Sequence, residues 1–332
     1  MPSSFPEKVV VLGTGGTIAG TACGAGDNLG YRAARIGVAE LLAAVPGLSA
    51  ALAGRTLVTE QVAQVDSKDM SFAVWRQLAL RVMAYLAQAE VMGVVIAHGT
   101  DTLEETAYFL HAVLPAAQLA RKPVVLTGAM RPASSAAPDG PQNLLDAVAV
   151  VTAPGARGVL AVCAGTVHGA VAVQKVHPYR LDAFGSGDAG PLGYVEEGAV
   201  RWMNNGPLAL LDKEEFAIEK LADADSWPRV EIVMNYAGVS GAVVQALMDQ
   251  GAARGSRAAP LRGLVVAATG NGTLHCDLEA ALCKVQAAGV RVLIATRCPG
   301  GRVLPTPGSL FPDSQGLSPV KARVALMLAL LC

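Results

Sequence analysis

Short apolar runs that end in glycine-rich or polar turns alternate with longer segments of helical period along the first half of the chain. Continuous apolar runs bounded by turns are typical of fully buried strands. Such runs occupy 8–12, 94–97 and 122–127, and apolar residues at helical spacing cover 72–87 and 143–151. Strands that alternate with helices in this way predict an α/β fold built on a parallel sheet.

The same alternation resumes after a charged segment that is poor in helical pattern. We therefore predict a larger N-terminal, mainly parallel-sheet domain over 1–203, a linker over 204–229 and a smaller C-terminal α/β domain over 230–332. The other elements predicted in the N-terminal domain are strands at 56–63, 158–163 and 170–173 and a short helix at 38–45. In the C-terminal domain we predict strands at 230–234, 263–268 and 290–295 and helices at 241–250, 277–288 and 319–331.

A polar turn at 98–101 follows one of the apolar runs and leads into a helix. Thr102 and Glu105 have the spacing of a capping box, so we expect the helix to begin there. Ligands bind at the carboxyl edge of a parallel sheet, and a helix N-terminus offers N–H groups to an anion or a developing oxyanion. Thr100 and Asp101 would bring a hydroxyl and a carboxylate to this edge, which indicates acyl chemistry.

A glycine-rich loop at 13–20 follows the first strand and would bring backbone close to a ligand. It resembles a dinucleotide-binding fingerprint only superficially, because that motif requires glycine where Ile18 stands and an acidic residue further on. A hydrolase is therefore favoured over a dinucleotide-dependent dehydrogenase. Within the loop, Thr17 follows Gly16 at a position where its hydroxyl would be exposed.

Several other polar residues have both a structural and a functional interpretation. Lys175 is the first cation after a nearly uninterrupted apolar stretch. It either extends its ammonium to water at a strand end or is partly desolvated, where a lysine can act as a base. On the residues alone, Tyr31 is interpreted as a surface tyrosine, and Ser67 and Asp69 as caps of the following helix. His98 is expected to hydrogen-bond its own turn.

Charge and cysteine content narrow the possible partners. The formal net charge is −1 and no basic run occurs, which argues against nucleic acid and anionic membranes and favours a small neutral or zwitterionic substrate. The start of the chain lacks signal-peptide features and no apolar stretch reaches transmembrane length, so we expect a cytoplasmic protein. The six cysteines form no C-x-x-C pair and have no nearby histidine cluster, so reduced thiols are expected.

Three motifs in this order resemble the bacterial-type L-asparaginase family, and the similarity extends from Lys8 to Arg297 and through 321–323 into the last helix. The first is Gly-Gly-Thr-Ile-Ala at 15–19. The second is His-Gly-Thr-Asp-Thr at 98–102, followed by Glu-Glu-Thr-Ala at 104–107. The third is Thr-Gly-Ala-Met-Arg-Pro at 127–132, followed by Asp-Gly-Pro at 139–141 and Asn-Leu at 143–144.

This resemblance implies hydrolysis of the side-chain amide of L-asparagine to L-aspartate and ammonia, without a metal or organic cofactor, by a homodimer or homotetramer. It implies that Thr17 attacks the amide carbon beneath a mobile loop that carries Tyr31, and that Thr100, Asp101 and Lys175 form a second triad that activates a nucleophile or water. The residues themselves leave open which threonine attacks first. The implied substrate-binding positions are Ser67 and Asp101, for the α-carboxylate and α-amino groups, together with Gly16, Gly99, Asp66 and Lys68.

Three positions depart from the family pattern. Lys68 stands where many periplasmic members have glutamine or glutamate, the stretch 297–318 contains no glutamate, and Thr273 replaces a second asparagine after Asn271. Because these departures concern the α-amino group of the substrate, a glutaminase or another small-amide amidohydrolase is the alternative. A non-catalytic small-molecule sensor is disfavoured, since a binding module needs neither two hydroxyls nor a lysine base. An amidotransferase subunit is disfavoured because no nucleic-acid domain is added.

Overall fold

The computed structural model describes residues 6–24, 26–203, 216, 218, 220–221, 227–252 and 259–331. Contacts divide the chain into two compact units, Met1–Ile218 and Glu219–Cys332, called here the N-terminal and the C-terminal unit. Most of the segment predicted as a linker, 204–229, lies outside the described residues, so its limits stay predictions. In the described part of the chain, no helix is both long and apolar enough to cross a bilayer.

Strands and helices alternate in the N-terminal unit as the apolar runs predict. Its first strands are β1 (Lys8–Gly15), β2 (Thr56–Val65), β3 (Val91–Ala97), β4 (Val124–Thr127) and β5 (Val159–Cys163). The later ones are β6 (Thr166–Gly169), β7 (Gln174–Lys175), β8 (Phe184–Gly185), β9 (Gly193–Glu196) and β10 (Ala199–Trp202). The helices are α1 (Val38–Ala43), α2 (Leu48–Leu52), α3 (Phe72–Leu86), α4 (Leu103–Val113), α5 (Ala116–Leu119) and α6 (Gly140–Thr152).

Eight of these strands form one sheet in the order β10-β9-β6-β5-β4-β3-β1-β2. The strands from β2 to β5 run parallel, and β6, β9 and β10 extend the sheet in antiparallel fashion. The chain goes from β1 outward to β2 and then returns to β3 on the other side of β1. At such a switch point the connections after β1 and β3 lead to strands on opposite sides, and ligands of open α/β sheets bind at the carboxyl edge there. The topology therefore places a ligand site between the ends of β1 and β3.

Helices cover both faces of the parallel strands, which explains why their apolar runs are continuous. On one face, α1, α2 and α6 form a single core through residues such as Leu41, Leu48 and Leu144. Helices α3 and α4 pack together elsewhere on the sheet, with the rings of Trp75 and Phe109 stacked at 5.0 Å. The connections β1 to β2 and β4 to β5 run in opposite directions across the sheet, yet their helices share a face. The two crossovers therefore have opposite hands, and one of them is the rare left-handed type.

The C-terminal unit is smaller. Its parallel sheet has the order β11 (Arg229–Met234), β12 (Leu261–Ala268) and β13 (Arg291–Thr296). The helices described in this unit are α7 (Ala242–Ala252), α8 (Cys276–Ala287) and α9 (Pro319–Leu331), and α9 contacts all three strands. The predicted fold class, a larger mainly parallel-sheet domain followed by a smaller α/β domain, is confirmed.

The strand predicted at 170–173 is wrong. The backbone N–H groups of Ala172 and Val173 both donate to the carbonyl of Gly169, at 3.1 and 2.9 Å, so the chain turns after β6. Lys175 then lies in the two-stranded β7–β8 ribbon. An apolar run does not by itself separate a buried turn from a strand. The apolar pattern also gave no indication of β9 and β10.

Candidate active site

The loops after β1, β2 and β3 meet in backbone contact at the crevice. Gly16 has a φ of +82°, and a Cβ atom on it would overlap the Cα of Gly99. A Cβ atom on Gly99 would in turn overlap the Oγ of Ser67. Only glycine permits this approach, so the two glycines bring together the chain segments that carry Thr17, Ser67 and Thr100.

Thr17 directly follows Gly16 and is buried, so the prediction of an exposed position is wrong. Its Oγ1 lies 2.7 Å from the hydroxyl of Tyr31, so the surface interpretation of this tyrosine is wrong. Tyr31 lies on a loop whose ends are joined by two backbone hydrogen bonds between Thr21 and Arg32, at 3.0 and 2.8 Å. Within the loop, the carboxylate of Asp27 accepts the two backbone N–H groups just before Tyr31, and these bonds hold the pKa of Asp27 below its usual range.

Lys175 joins the second pair of candidate groups. Its Nζ donates to Thr100 Oγ1 at 2.9 Å and lies 2.6 Å from Asp101 Oδ1. The side chain of Lys175 is only 16% exposed, whereas that of Asp101 is 55% exposed. The backbone N–H of Lys175 also donates to the carboxylate of Glu104 at 3.2 Å. Sequence reasoning missed this role of Glu104, and its position in the first turn of α4 was the available signal.

The expected capping roles around this turn are wrong. Thr102 makes no side-chain cap for α4, because its hydroxyl donates to the carbonyl of Ser67 at 2.8 Å. Ser67 Oγ accepts the backbone N–H of Asp101 at 3.2 Å, and Ser71 is the side-chain cap of α3 in place of Ser67 and Asp69. The loop after β2 is therefore tied to the turn after β3, so that contacts between loops replace the local caps.

Lys68 points its charge at two neighbouring carboxylates. Its Nζ lies 2.5 Å from Asp66 Oδ2 and 3.4 Å from Asp69 Oδ2, and the side chain is 62% exposed. The hydrogen bond to Asp66 raises the pKa of Lys68 above its usual range. Exposed pairs of this kind contribute little to stability. They do balance the positive charge of Lys68 beside the candidate site.

His98 is fully buried beneath the turn. Its Nδ1 lies 2.6 Å from the carbonyl oxygen of Gly99, which confirms the expected hydrogen bond within the turn. Its Nε2 lies 3.0 Å from the hydroxyl of Thr106, and Trp75 Nε1 donates to the same hydroxyl at 2.8 Å. Burial lowers the pKa of His98 to about 4, so the ring is neutral near pH 7. Thr106 and Trp75 were missed from the sequence, because both fit an apolar helix face.

The third sequence motif braces the end of β4. Asn143 Nδ2 donates to the carbonyl of Gly128 at 2.8 Å, and the Asp139 carboxylate accepts the backbone N–H groups of residues 130 and 131, both at 2.9 Å. A Cβ atom on Gly128 would lie 3.0 Å from Thr100 Cγ2. This motif therefore supports Thr100 from behind rather than supplying a reacting group.

In the C-terminal unit, the family-related positions Asn271 and Thr273 bond other residues of that unit. Asn271 exchanges hydrogen bonds with the backbone of Leu304, at 3.2 and 2.7 Å. The hydroxyl of Thr273 lies 3.0 Å from that of Thr269, and the two residues also exchange backbone hydrogen bonds. Asn271 therefore ties the loop after β12 to the segment after β13, and Thr273 closes the loop after β12 on itself.

One histidine, His275, lies beside a cysteine. Candidate ligand atoms of His275, Cys276 and Asp277 lie within 4.8 Å of one another. However, His275 Nδ1 accepts the backbone N–H of Asp277 at 3.2 Å and so caps α8, and a dication there would face the positive end of the helix dipole. The arrangement is therefore a helix cap, and the five cysteines in the described part of the chain are free thiols.

The structure thus gathers the predicted residues into one crevice at the switch point of an α/β sheet. The Thr17 hydroxyl follows Gly16 and lies beside the Tyr31 phenol. The Thr100 hydroxyl follows Gly99 and lies beside the ion pair of Lys175 and Asp101. Such a site has the groups that acyl transfer needs, namely an oxygen nucleophile, a base and an orienting acid.

Comparison with known proteins identifies the family. The family model described as Asparaginase, N-terminal, matches residues 8–207, and the Glutaminase/Asparaginase C-terminal domain matches residues 229–332. The chain is 36% identical over 331 residues to a glutaminase-asparaginase from Pseudomonas fluorescens biotype A, a match that covers 97% of this chain and 86% of the relative. It is also 36% identical over 330 residues to L-asparaginase 2 of Escherichia coli K12, with 97% and 88% covered.

A solved structure described as a probable cytoplasmic L-asparaginase from Campylobacter jejuni superposes with a TM-score of 0.85 at 36% identity, covering 98% of this chain and 95% of that one. Both domains and nearly the full length therefore match. The chain belongs to the asparaginase family and is an amidohydrolase.

Proposed function

We propose that this protein hydrolyses the side-chain amide of L-asparagine to L-aspartate and ammonia at the crevice between β1 and β3. The observation that carries the proposal is the position of Lys175 Nζ, 2.9 Å from Thr100 Oγ1 and 2.6 Å from Asp101 Oδ1. A hydroxyl that contacts a mostly buried lysine oriented by a carboxylate is the arrangement required to activate a weak oxygen nucleophile. The relatives named asparaginase support the choice of substrate.

In the proposed reaction, Thr17 Oγ1 attacks the amide carbon. The new C–O bond forms first and gives a tetrahedral intermediate, whose C–N bond then breaks as the nitrogen takes up the proton of the attacking hydroxyl and leaves as ammonia. Tyr31, 2.7 Å from Thr17 Oγ1, orients this hydroxyl. Water then cleaves the resulting ester and restores the threonine.

Thr100 and Lys175 act on this water. Lys175 acts as the base that accepts a proton through the Thr100 hydroxyl, and general-base help of this kind contributes about 10²–10⁴-fold. The backbone N–H of Thr100 is the proposed donor to the oxyanion of each tetrahedral intermediate. Asp101 orients Lys175 and, being half exposed, also receives the substrate ammonium.

Substrate binding is proposed for the loops that meet around Gly16 and Gly99. The Ser67 hydroxyl lies at this junction and is assigned to the α-carboxylate. Asp66 and Lys68 line the same loop, and their ion pair makes a charge-balanced rim.

A second candidate function is hydrolysis of L-glutamine or another small amide. It is favoured by Lys68, by the glutamate-free stretch 297–318 and by the name of the Pseudomonas relative, a glutaminase-asparaginase. Because Lys68 is already paired with Asp66 and Asp69, its charge gives this candidate less support than the sequence suggests.

We infer a cytoplasmic enzyme, supported by the description of the Campylobacter structure. We also infer a homodimer or homotetramer from the family resemblance, and the molar mass measured by light scattering tests it.

Ammonia release from L-asparagine by the purified protein tests the function. We expect turnover that the double variant Thr17→Ala, Thr100→Ala abolishes. Ratios of kcat/KM for asparagine, glutamine and a des-amino amide separate the two candidates. Equal values for asparagine and glutamine would support the second, and no turnover of any amide would refute both.

A further inference from the structure

A chain of buried hydrogen bonds links helix α3 to the turn that carries Thr100. Trp75 Nε1 on α3 donates to Thr106 Oγ1 on α4 at 2.8 Å, and this hydroxyl lies 3.0 Å from His98 Nε2. On the other side of the ring, His98 Nδ1 lies 2.6 Å from the carbonyl oxygen of Gly99. The exposed fractions of His98 and Thr106 are both 0%, so water does not compete for these groups.

The donors and acceptors in this chain have only one consistent assignment. The Gly99 carbonyl can only accept, so His98 Nδ1 must carry a proton. Since burial lowers the pKa of His98 to about 4, the neutral ring has no second proton, and Nε2 is an acceptor. The Trp75 N–H can only donate, which leaves the Thr106 hydroxyl to accept from Trp75 and to donate to His98 Nε2. Each hydrogen bond in the chain is therefore donated in the direction that leads from α3 to the Gly99 carbonyl.

We propose that His98, held as its Nδ1-protonated tautomer by Thr106, is a positioning residue that fixes and polarises the Gly99–Thr100 peptide so that the Thr100 N–H can stabilise an oxyanion. A hydrogen bond to a peptide carbonyl strengthens the N–H of the same peptide as a donor, because chains of such bonds polarise one another. Rigid donors give the largest benefit, since they need no reorganisation during the reaction. This inference rests on the proposed amide hydrolysis.

The backbone of His98, which directly precedes this peptide, is held by the end of β4. The backbone N–H of His98 donates to the carbonyl of Thr127 at 2.8 Å. On the same side, a Cβ atom on Gly128 would lie 2.7 Å from the His98 carbonyl oxygen. The ring of His98 thus acts on a peptide that directly follows a backbone segment held by the end of β4.

The first test measures the tautomer and does not depend on activity. Nitrogen NMR of protein labelled at histidine should show, at pH 7, a buried ring with a protonated Nδ1 and an unprotonated Nε2. The resonance is assigned by its loss in His98→Gln. A protonated Nε2 would overturn the inference whatever the kinetics show.

The second test measures kcat and KM. Removing the Nδ1 donor with His98→Met should lower kcat about 10–100-fold and leave KM within about threefold, since the oxyanion donor acts in the transition state. His98→Gln has an amide that can donate to Gly99 and accept from Thr106, so it should recover most of kcat. Thr106→Val, which keeps the shape but removes the hydroxyl, should lower kcat, and Thr106→Ser should restore it.

A matched control is His168→Gln, which alters a buried histidine on β6 whose Nδ1 lies 2.8 Å from Ser186 Oγ. It should leave kcat unchanged. Folded His98→Met with wild-type kcat, or with a raised KM alone, would overturn the inference while leaving the proposed function intact. Absence of ammonia release from the wild type would instead reject the proposed function, and the oxyanion role with it, even if the tautomer is the expected one.

Discussion

The two threonines of the site are held in different ways. Thr17 lies on a glycine-rich loop, and its hydroxyl contacts a phenol from a surface loop that is closed by two backbone hydrogen bonds. Thr100 lies at the end of a buried strand, contacts Lys175 and is supported from behind by Gly128. The Thr17 side therefore depends on a contact with a surface loop, whereas the Thr100 side is built into the packed interior.

This difference indicates a division of roles. A surface loop suits the residue that meets the substrate, and a mostly buried lysine paired with a carboxylate suits the group that must hold and pass on a proton. Four experiments test this division of roles.

Replacing either hydroxyl should have the largest effect. We expect both Thr17→Ala and Thr100→Ala to lower kcat by about 10³–10⁴-fold, because each removes a group that the reaction requires. The two should differ in mass spectrometry of the quenched reaction. Thr100→Ala should accumulate an aspartyl ester on Thr17, and Thr17→Ala should not. An ester on Thr100 in the Thr17→Ala variant would reverse the assigned roles.

Replacing the lysine should have the next largest effect. Lys175→Met should lower kcat about 10²–10³-fold through loss of the base. Lys175→Arg keeps the charge opposite Asp101 but does not lose a proton at accessible pH, so it should be about equally inactive. Steady-state kinetics measures both variants. An active Lys175→Arg would show that only the positive charge is needed, and the base role would fail.

Lowering the pH should destabilise the folded protein, because the buried His98 beside Thr100 resists protonation. Burial lowers its pKa from the ordinary histidine value of 6.5 to about 4 in the folded protein, so the unfolded chain takes up a proton first as the pH falls. The free energy of unfolding should therefore decrease between pH 6.5 and 4, by about 1–3 kcal/mol, and not above pH 6.5. Urea unfolding across this range measures it. His98→Gln should reduce the slope, and the same change at the partly exposed His177 should not.

The smallest effect is expected on the Thr17 side. Tyr31→Phe removes the hydroxyl 2.7 Å from Thr17 Oγ1 but keeps the ring, so kcat should fall about tenfold, as for loss of one orienting hydrogen bond. The thermal midpoint should stay close to that of the wild type, since the hydroxyl belongs to a surface loop. A large loss of stability would show that Tyr31 is structural and that the two sides of the site are equally rigid.

Much of the arrangement could be predicted from the chain alone. The apolar runs predicted most strands of the parallel sheet, and the three motifs predicted the residues that now share one crevice. Local rules failed where partners came from distant segments. Thr102 and Glu105 have capping-box spacing, yet the Thr102 hydroxyl bonds the Ser67 loop, because that contact becomes available only after β2 and β3 lie in one sheet.

The sequence by itself determined the class of the fold, the glycines that allow Gly16 and Gly99 to touch, and the identity of the candidate groups, because these depend on residue type and spacing along the chain. The tertiary structure alone decided which partner each group received. The Glu104 carboxylate on the Lys175 backbone, the α6 crossover on the face of α1 and α2, and the Trp75 bond that turns the Thr106 hydroxyl toward His98 all join residues far apart in the chain. Such contacts depend on three-dimensional packing, which a one-dimensional pattern does not contain.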